Sequence, residues 1–243
     1  FRRHWLGTHF FNPPRYLRLL EIIPTADTQQ PIIDMVTQFA DHRLGKGVVL
    51  AKDSPNFIGN HIALYGVTLL LAKVAAGEYT IEEIDAITGP AIGRPASATF
   101  RTLDLAGVDI LTHVIENLQE RLDDPYAKKV FVLPEFVKRM VERGLTGEKA
   151  GQGFYKRVKN AAGESEILTL EPNTHEYRPR QSPTLGSIEA GKSIADVGER
   201  IRTLFNGRDK AGQLLRETLA PALVYTASVT PASAWTSWRS CRN

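Results

Sequence analysis

The feature that most limits the fold is the pair of prolines in Gly7-Thr8-His9-Phe10-Phe11-Asn12-Pro13-Pro14-Arg15-Tyr16-Leu17-Arg18-Leu19-Leu20-Glu21-Ile22-Ile23. Two adjacent prolines fix φ, remove two N–H donors and push the residue before them away from helical geometry. Neither a helix nor a central strand passes through them. The apolar runs on either side therefore read as strand, turn, strand. His9 lies in the first run and Glu21 in the second, twelve positions apart. On one helix, twelve steps of about 100° would turn them to different faces; across a turn they meet. A histidine held by a carboxylate has a fixed tautomer and serves as a general base. The same spacing also suits two ordinary strands that carry a His and a Glu near their ends. The pattern alone leaves both readings open.

Composition narrows the class. At 243 residues the chain has room for one large domain or two small ones. A net charge of +3 with scattered basic residues gives no nucleic-acid footprint. The single cysteine, Cys241, excludes an internal disulfide framework. With no signal peptide in view, it points to a reducing, cytoplasmic setting. The longest apolar stretch, Ile62 to Ala76, is broken by Tyr65, Gly66, Thr68 and Lys73. It is too short to span a bilayer and reads as a buried helix.

Along the chain, Asp27 or Thr28 is expected to cap a helix through about His42, with Ile32, Ile33, Val36, Phe39 and Ala40 on one stripe. Leu44-Gly45-Lys46-Gly47 is a helix stop, and Val48-Val49-Leu50-Ala51 a buried strand of a parallel or mixed sheet. Beyond Asp53-Ser54-Pro55 the character turns helical. Asn56–Ala76, a short helix opened by the capping box Thr80-Ile81-Glu82-Glu83, Thr99–Leu122 with a break near Gly107, and Pro134–Arg143 follow in order. A glycine-rich loop, Gly147 to Gly153, leads into Phe154-Tyr155-Lys156, and the chain is polar to about Pro183 apart from a strand-like Ile167–Leu170. Two further helical patterns are Ile194–Phe205 and Asp209–Val229, the second interrupted by Pro221.

Three stretches resemble the 3-hydroxyacyl-CoA dehydrogenase family. They are His9-Phe10-Phe11-Asn12-Pro13 followed by Leu20-Glu21-Ile22, then Asp53-Ser54-Pro55-Asn56-Phe57-Ile58-Gly59-Asn60, then Gly147-Glu148-Lys149-Ala150-Gly151-Gln152-Gly153-Phe154-Tyr155. They stand in the family's order across residues 1 to about 157. The resemblance implies a mainly α fold with a small α/β part. Residues 1–53 would be the C-terminal part of a Rossmann-like NAD-binding domain. Residues 54–157 would be an all-helical dimerisation and substrate domain of the 6-phosphogluconate-dehydrogenase C-terminal-like type. It further implies oxidation of an L-3-hydroxyacyl-CoA to the 3-ketoacyl-CoA with NAD. His9 would take the hydroxyl proton and Glu21 would orient the imidazole and stabilise the imidazolium. Asn12 and Lys149 would face NAD, and Asn60 the acyl-CoA substrate. The alternatives are a cap on the turn for Asn12 and ordinary surface positions for Asn60 and Lys149.

The other histidines are weaker candidates. His61 would point about 100° away from Asn60 and reads as structural. His113 reads as packed or half-exposed, and His4, His42 and His175 show no partner. No Cys/His cluster has metal-ligand spacing. Arg94 and Arg101, flanking Pro95-Ala96-Ser97-Ala98-Thr99-Phe100, suit either a CoA phosphate or a structural salt bridge.

No Gly-x-Gly-x-x-Gly turn occurs in these residues, so the chain is expected to hold an acid–base pair without a pyrophosphate site and not to turn over alone. Residues 158–207 read as a linker with short elements. Residues 208–231 resemble the opening helix of a second, truncated helical copy, and 232–243 an anomalous tail, which together suggest a fragment of a longer enzyme. A homodimer through the helical domain, and no membrane span, complete the expectation. Two further functions fit the same residues: a 3-hydroxybutyryl-CoA dehydrogenase, and a non-catalytic helical self-association module.

Overall fold

The computed structural model describes residues 1–160 and 163–234. By contacts the described residues form two compact units, Phe1–Ala63 together with those from Leu223 to Ala234, and Leu64–Ala222.

In the first unit the proline-forced turn does what the sequence demands. Strand β1 (Leu6–Phe10) pairs antiparallel with β2 (Leu19–Pro24), and the register sets His9 opposite Glu21. Helix α1 (Gln30–Leu44) carries the chain back, so that β3 (Gly47–Leu50) runs parallel to β2. The order is β1-β2-β3, which makes β2 central. Alternation sends Leu20 and Ile22 to one face. There they pack with Ala40 and Val36 of α1 and with Leu6, Val48 and Leu50. Burial of each contributes roughly 1.5–3 kcal/mol. Glu21 and His9 are left on the opposite face.

Three expectations here need correction. Gln29, not Asp27 or Thr28, precedes the first helical residue. The Thr28 hydroxyl instead donates to the Trp5 carbonyl at 2.6 Å and accepts from the Thr25 N–H, which ties the helix entry to the start of β1. Phe39, placed on the apolar stripe, is exposed, because the sheet is narrow and only Ile33 and Ala40 of α1 are fully covered. β3 is half-exposed, with Val49 open to solvent. It lies at the end of the sheet order, and beyond it the only further pairing among the described residues is the bridge Ala51–Ala234.

Helix α2 (Gly59–Ala75) leaves the first unit, and α10 (Lys210–Ser233) returns to it. Pro221 does not interrupt α10. A proline removes a single N–H, and the turns around it are held by the burial of Leu214, Leu215 and Tyr225. The helix runs past Pro231 to Ser233, where the Lys52 N–H donates to the Ser233 carbonyl at 2.8 Å. The rest of the expected tail, 235–243, lies outside the described residues.

In the second unit α2 buries Tyr65, Leu70, Leu71 and Val74. α3 (Ile81–Thr88) opens on the complete capping box, with the Glu83 N–H donating to Thr80 Oγ1 at 3.1 Å and the Thr80 N–H to Glu83 Oε2 at 2.9 Å. α4 (Phe100–Ala106) and α5 (Val108–Arg121) meet at Gly107, whose φ of 104° supplies the break. α6 (Pro125–Val130) and α7 (Glu135–Glu142) follow. The polar segment after Tyr155 holds an antiparallel sheet of β4 (Tyr155–Lys159), β5 (Ser165–Leu170) and β6 (Tyr177–Pro179), then α8 (Gly186–Gly191) and α9 (Val197–Phe205). Arg178 of β6 clamps Glu82 of α3 with Nη1–Oε1 at 2.6 Å and Nη2–Oε2 at 3.0 Å. Among the described residues no helix is long and apolar enough to cross a membrane.

Candidate active site

Glu21 is the fixed point of the first unit. Its side chain is 1% exposed, a position that a carboxylate holds only when its oxygens are paired. Oε2 lies 2.6 Å from Nδ1 of His9. Oε1 accepts from the backbone N–H groups of Ile58 at 3.0 Å and Gly59 at 2.7 Å, at the start of α2. Those N–H groups have no partner within their own helix, and the positive end of the helix dipole favours an anion there.

His9 is thereby oriented. A carboxylate oxygen accepts, so the Nδ1 hydrogen is donated to it and the lone pair of the neutral ring sits on Nε2. Nε2 makes no hydrogen bond among the described residues, and the side chain is 24% exposed. The ring is flanked by Phe11, with centroids 4.6 Å apart, and Phe57, at 5.4 Å. Phe57 and Asn56 have φ of 54° and 57°; asparagine enters this left-handed region readily, whereas a bulky residue such as Phe57 is uncommon there. The resulting turn opens directly onto the N–H groups that hold Glu21.

Gly59 completes the packing. A Cβ there would stand 2.5 Å from Phe11 Cζ and 3.3 Å from Leu19 Cδ2. Below the turn, Lys46 is buried, donates to the carbonyls of Pro14 and Leu17, and lies 5.8 Å from the centroid of Phe10. One cation ties the loop between β1 and β2 to the end of α1.

The other expected site residues fall as follows. Asn60 sits in the first turn of α2, half-buried, and Asn12 is exposed at the end of β1. Neither side chain makes a hydrogen bond among the described residues, so the turn cap considered for Asn12 is not formed. Lys149 belongs to the second unit, where its Nζ pairs with Asp109 Oδ2 at 2.6 Å and both groups are exposed. That pairing holds the Asp109 carboxyl below its ordinary range.

The glycine motif around Lys149 has a structural cause of its own. Asp104 is buried and accepts from the N–H groups of Phe154 at 2.8 Å and Tyr155 at 2.9 Å. A Cβ on Gly153 would run into the Asp104 carboxylate, and one on Gly147, at φ 100°, into the Asp104 backbone. Burial pushes the Asp104 carboxyl up to about 6, against the pull of the two N–H groups. Asp85 is a second buried carboxylate. It accepts from the N–H groups of Thr99, Phe100 and Arg101 at the start of α4 and from the Tyr155 hydroxyl at 2.8 Å. Burial raises it too, opposed by those bonds.

His61 is buried with Nε2 2.6 Å from the Tyr225 hydroxyl, and burial lowers its pKa. His175 is buried and bonds the Phe136 carbonyl at 2.9 Å. His42 lies 3.7 Å from Asp41. His113 is exposed, so the packed alternative does not hold. Arg101 pairs with Glu148 at 2.5 Å, and Arg94 donates to Thr99 Oγ1 at 3.3 Å. Among the described residues no group of three or more His, Cys, Asp or Glu could hold a metal ion.

Residues 2–54 match the family model described as 3-hydroxyacyl-CoA dehydrogenase, NAD binding domain, and residues 57–157 match 3-hydroxyacyl-CoA dehydrogenase, C-terminal domain. The chain belongs to the 3-hydroxyacyl-CoA dehydrogenase family. It is 44% identical to a probable 3-hydroxyacyl-CoA dehydrogenase of Bacillus subtilis over 94% of this chain and 28% of that protein. It is 46% identical to a probable 3-hydroxyacyl-CoA dehydrogenase of Deinococcus radiodurans over 74% of this chain and 51% of that protein. The crystal structure of (S)-3-hydroxybutyryl-CoA dehydrogenase PaaH1 from Ralstonia eutropha is 28% identical, with a TM-score of 0.54, over 61% of this chain and 50% of that one. The chain thus spans about half or less of the length of these relatives. In this chain of the family the small mixed sheet falls within the first matched region, and α2 through α7 within the second.

Proposed function

We propose that the protein carrying this chain oxidises an L-3-hydroxyacyl-CoA to the 3-ketoacyl-CoA with NAD, and that the chain supplies the acid–base pair. The observation that carries this is the 2.6 Å contact between His9 Nδ1 and a buried Glu21 whose other oxygen is held by two backbone N–H groups. His9 Nε2 takes the proton of the 3-hydroxyl. Nδ1 keeps its hydrogen bond to Glu21, and the negative carboxylate faces the positive charge that the ring acquires. The flanking rings of Phe11 and Phe57 limit the approach of water to that ring.

When bound, NAD supplies the acceptor for the hydride leaving the same carbon. Asn12 fits a cofactor contact, since its exposed amide has unused donors and acceptors. Lys149 fits if its exposed pair with Asp109 opens. Asn60, with a free amide in the first turn of α2, would hydrogen-bond the substrate oxygen or the thioester carbonyl. The helical part would be of the 6-phosphogluconate-dehydrogenase C-terminal-like type. A homodimer through that part belongs to the same reading, supported by the exposed Leu105, Ile110, Tyr126 and Val132 of the second unit. So does a cytoplasmic setting, supported by the single cysteine.

The test is His9→Gln in the whole gene product, followed as NADH oxidation with acetoacetyl-CoA. The expected loss in kcat is on the order of 10²- to 10⁴-fold. A rate within threefold of the parent would remove His9 from the chemistry. A short-chain preference would instead favour 3-hydroxybutyryl-CoA as the substrate, the reading that the Ralstonia relative's name supports.

A further inference from the structure

The second unit contains a cleft of about 830 Å³ between one face of the β4-β5 sheet and helix α3. Register decides which side chains face it. Arg157 pairs with Ile167 and Lys159 with Ser165, so these four project from the same face of the sheet. Arg180, just past β6, adds a third cation to the lining, while Arg101, in α4, also lines the cleft but is paired with Glu148.

The carboxylates in the lining are all committed elsewhere. Glu82 is held by the Arg178 fork and the Gln181 N–H. Asp85 is saturated by three backbone N–H groups and the Tyr155 hydroxyl. Glu148 is paired with Arg101. Among the described residues, Arg157, Lys159 and Arg180 have no carboxylate partner. The cleft therefore offers cations and donors, with its acceptors already used, and its complement is an anion rich in acceptor oxygens.

The size excludes a bare oxyanion as the full occupant, because a volume of this order suits a small organic molecule. The remaining lining provides a body site. Ala86 and Pro90 come from the helical side, and Ile167 and Pro183 from the other. The guanidinium of Arg180 lies 5.5 Å from the centroid of the Tyr155 ring, and a guanidinium is a cationic group on which an aromatic base can stack.

We infer that this cleft binds a nucleoside diphosphate, with the phosphates on Arg157 and Lys159 and the base against Arg180 and the apolar wall. The site is built from the second unit alone and does not rest on the His9–Glu21 reading.

The test is calorimetric titration of the full chain with ADP, adenosine and inorganic pyrophosphate. ADP should bind at least tenfold more tightly than either part, and its affinity should fall as salt is raised from 50 to 300 mM. Arg157→Gln combined with Lys159→Gln, both in an exposed strand face, should weaken ADP by tenfold or more. Arg180→Ala should weaken ADP while leaving pyrophosphate unchanged. Asn12→Ala and His9→Gln, in the first unit, should leave ADP affinity unaltered. Absence of ADP binding at millimolar concentration would overturn the inference. So would equal affinity for ADP and pyrophosphate, or loss of ADP binding in the first-unit variants but not in the cleft variants.

Discussion

Oε1 of Glu21 accepts from the N–H groups of Ile58 and Gly59 while its Oε2 lies 2.6 Å from His9 Nδ1. One buried carboxylate therefore locks the imidazole of β1 to the first turn of α2. It also predicts what a neutral replacement does. In Glu21→Gln the amide NH₂ faces either the two backbone N–H groups, donor against donor, or His9 Nδ1, which must then accept and carry the ring proton on Nε2, leaving no base there. The expected result is a kcat loss of about 10²-fold or more in the whole gene product with KM little changed. A loss of about 1–3 kcal/mol in unfolding free energy, read from thermal or denaturant unfolding, should accompany it. A variant with full stability and reduced KM would contradict this.

Gly59→Ala tests the packing of the same corner. The added methyl would stand 2.5 Å from Phe11 Cζ, and Phe11 is the ring tilted against His9 with centroids 4.6 Å apart. Small-to-large changes in packed sites cost about 1–3 kcal/mol. The variant should unfold earlier in urea, and its kcat should fall even though no reacting group has changed. Unchanged stability would mean that Phe11 moves aside freely.

Lys46→Met removes the buried cation below the β1–β2 loop while keeping much of its length. The carbonyls of Pro14 and Leu17 would lose their donor, and since both residues are partly open to water the loss should be about 1 kcal/mol for each bond. Amide hydrogen exchange should rise first for Arg15 to Arg18, ahead of β2. Uniform exchange across the sheet would instead point to global destabilisation.

How much of this was legible in the sequence depends on how local the cause was. The double proline fixed the antiparallel register that puts His9 opposite Glu21, and the Thr80–Glu83 box and the glycine stop at Gly45 are recognisable because caps are made within one turn. Pairing across the fold was not legible. Lys46 looks like part of a helix-stop signal, yet its ammonium is spent on carbonyls about thirty residues back. Asp104 looks like an ordinary helical aspartate, although it is the reason that Gly147 and Gly153 carry no side chain. Phe57 stood inside a recognised motif, but its left-handed backbone and its contact with His9 come from the three-dimensional corner. Pro221 misled in the other direction, since a local helix breaker was outweighed by burial on both sides.

Asp104 gives a pH dependence whose sign follows from its raised pKa. Its carboxyl sits at about 6 in the folded chain against 3.8 for the free group, so the native state binds the proton more tightly than the unfolded state. Its contribution to stability is complete below about pH 4 and is lost as pH rises through about 6, on the order of 2–4 kcal/mol over that window. Glu82 and Asp109, whose carboxyls are lowered, act in the opposite sense and mask the effect in the parent alone. For Glu82 burial works upward but is outweighed by the Arg178 fork and the Gln181 N–H. Comparison with Asp104→Asn removes that mask, because the replacement does not titrate while the other groups are unchanged. The stability difference, parent minus variant, should widen as pH is lowered from 7 to 4.5 in urea unfolding followed by circular dichroism. A constant difference would place the folded-state pKa of Asp104 near its ordinary value, and would mean that the Phe154 and Tyr155 N–H groups offset the burial.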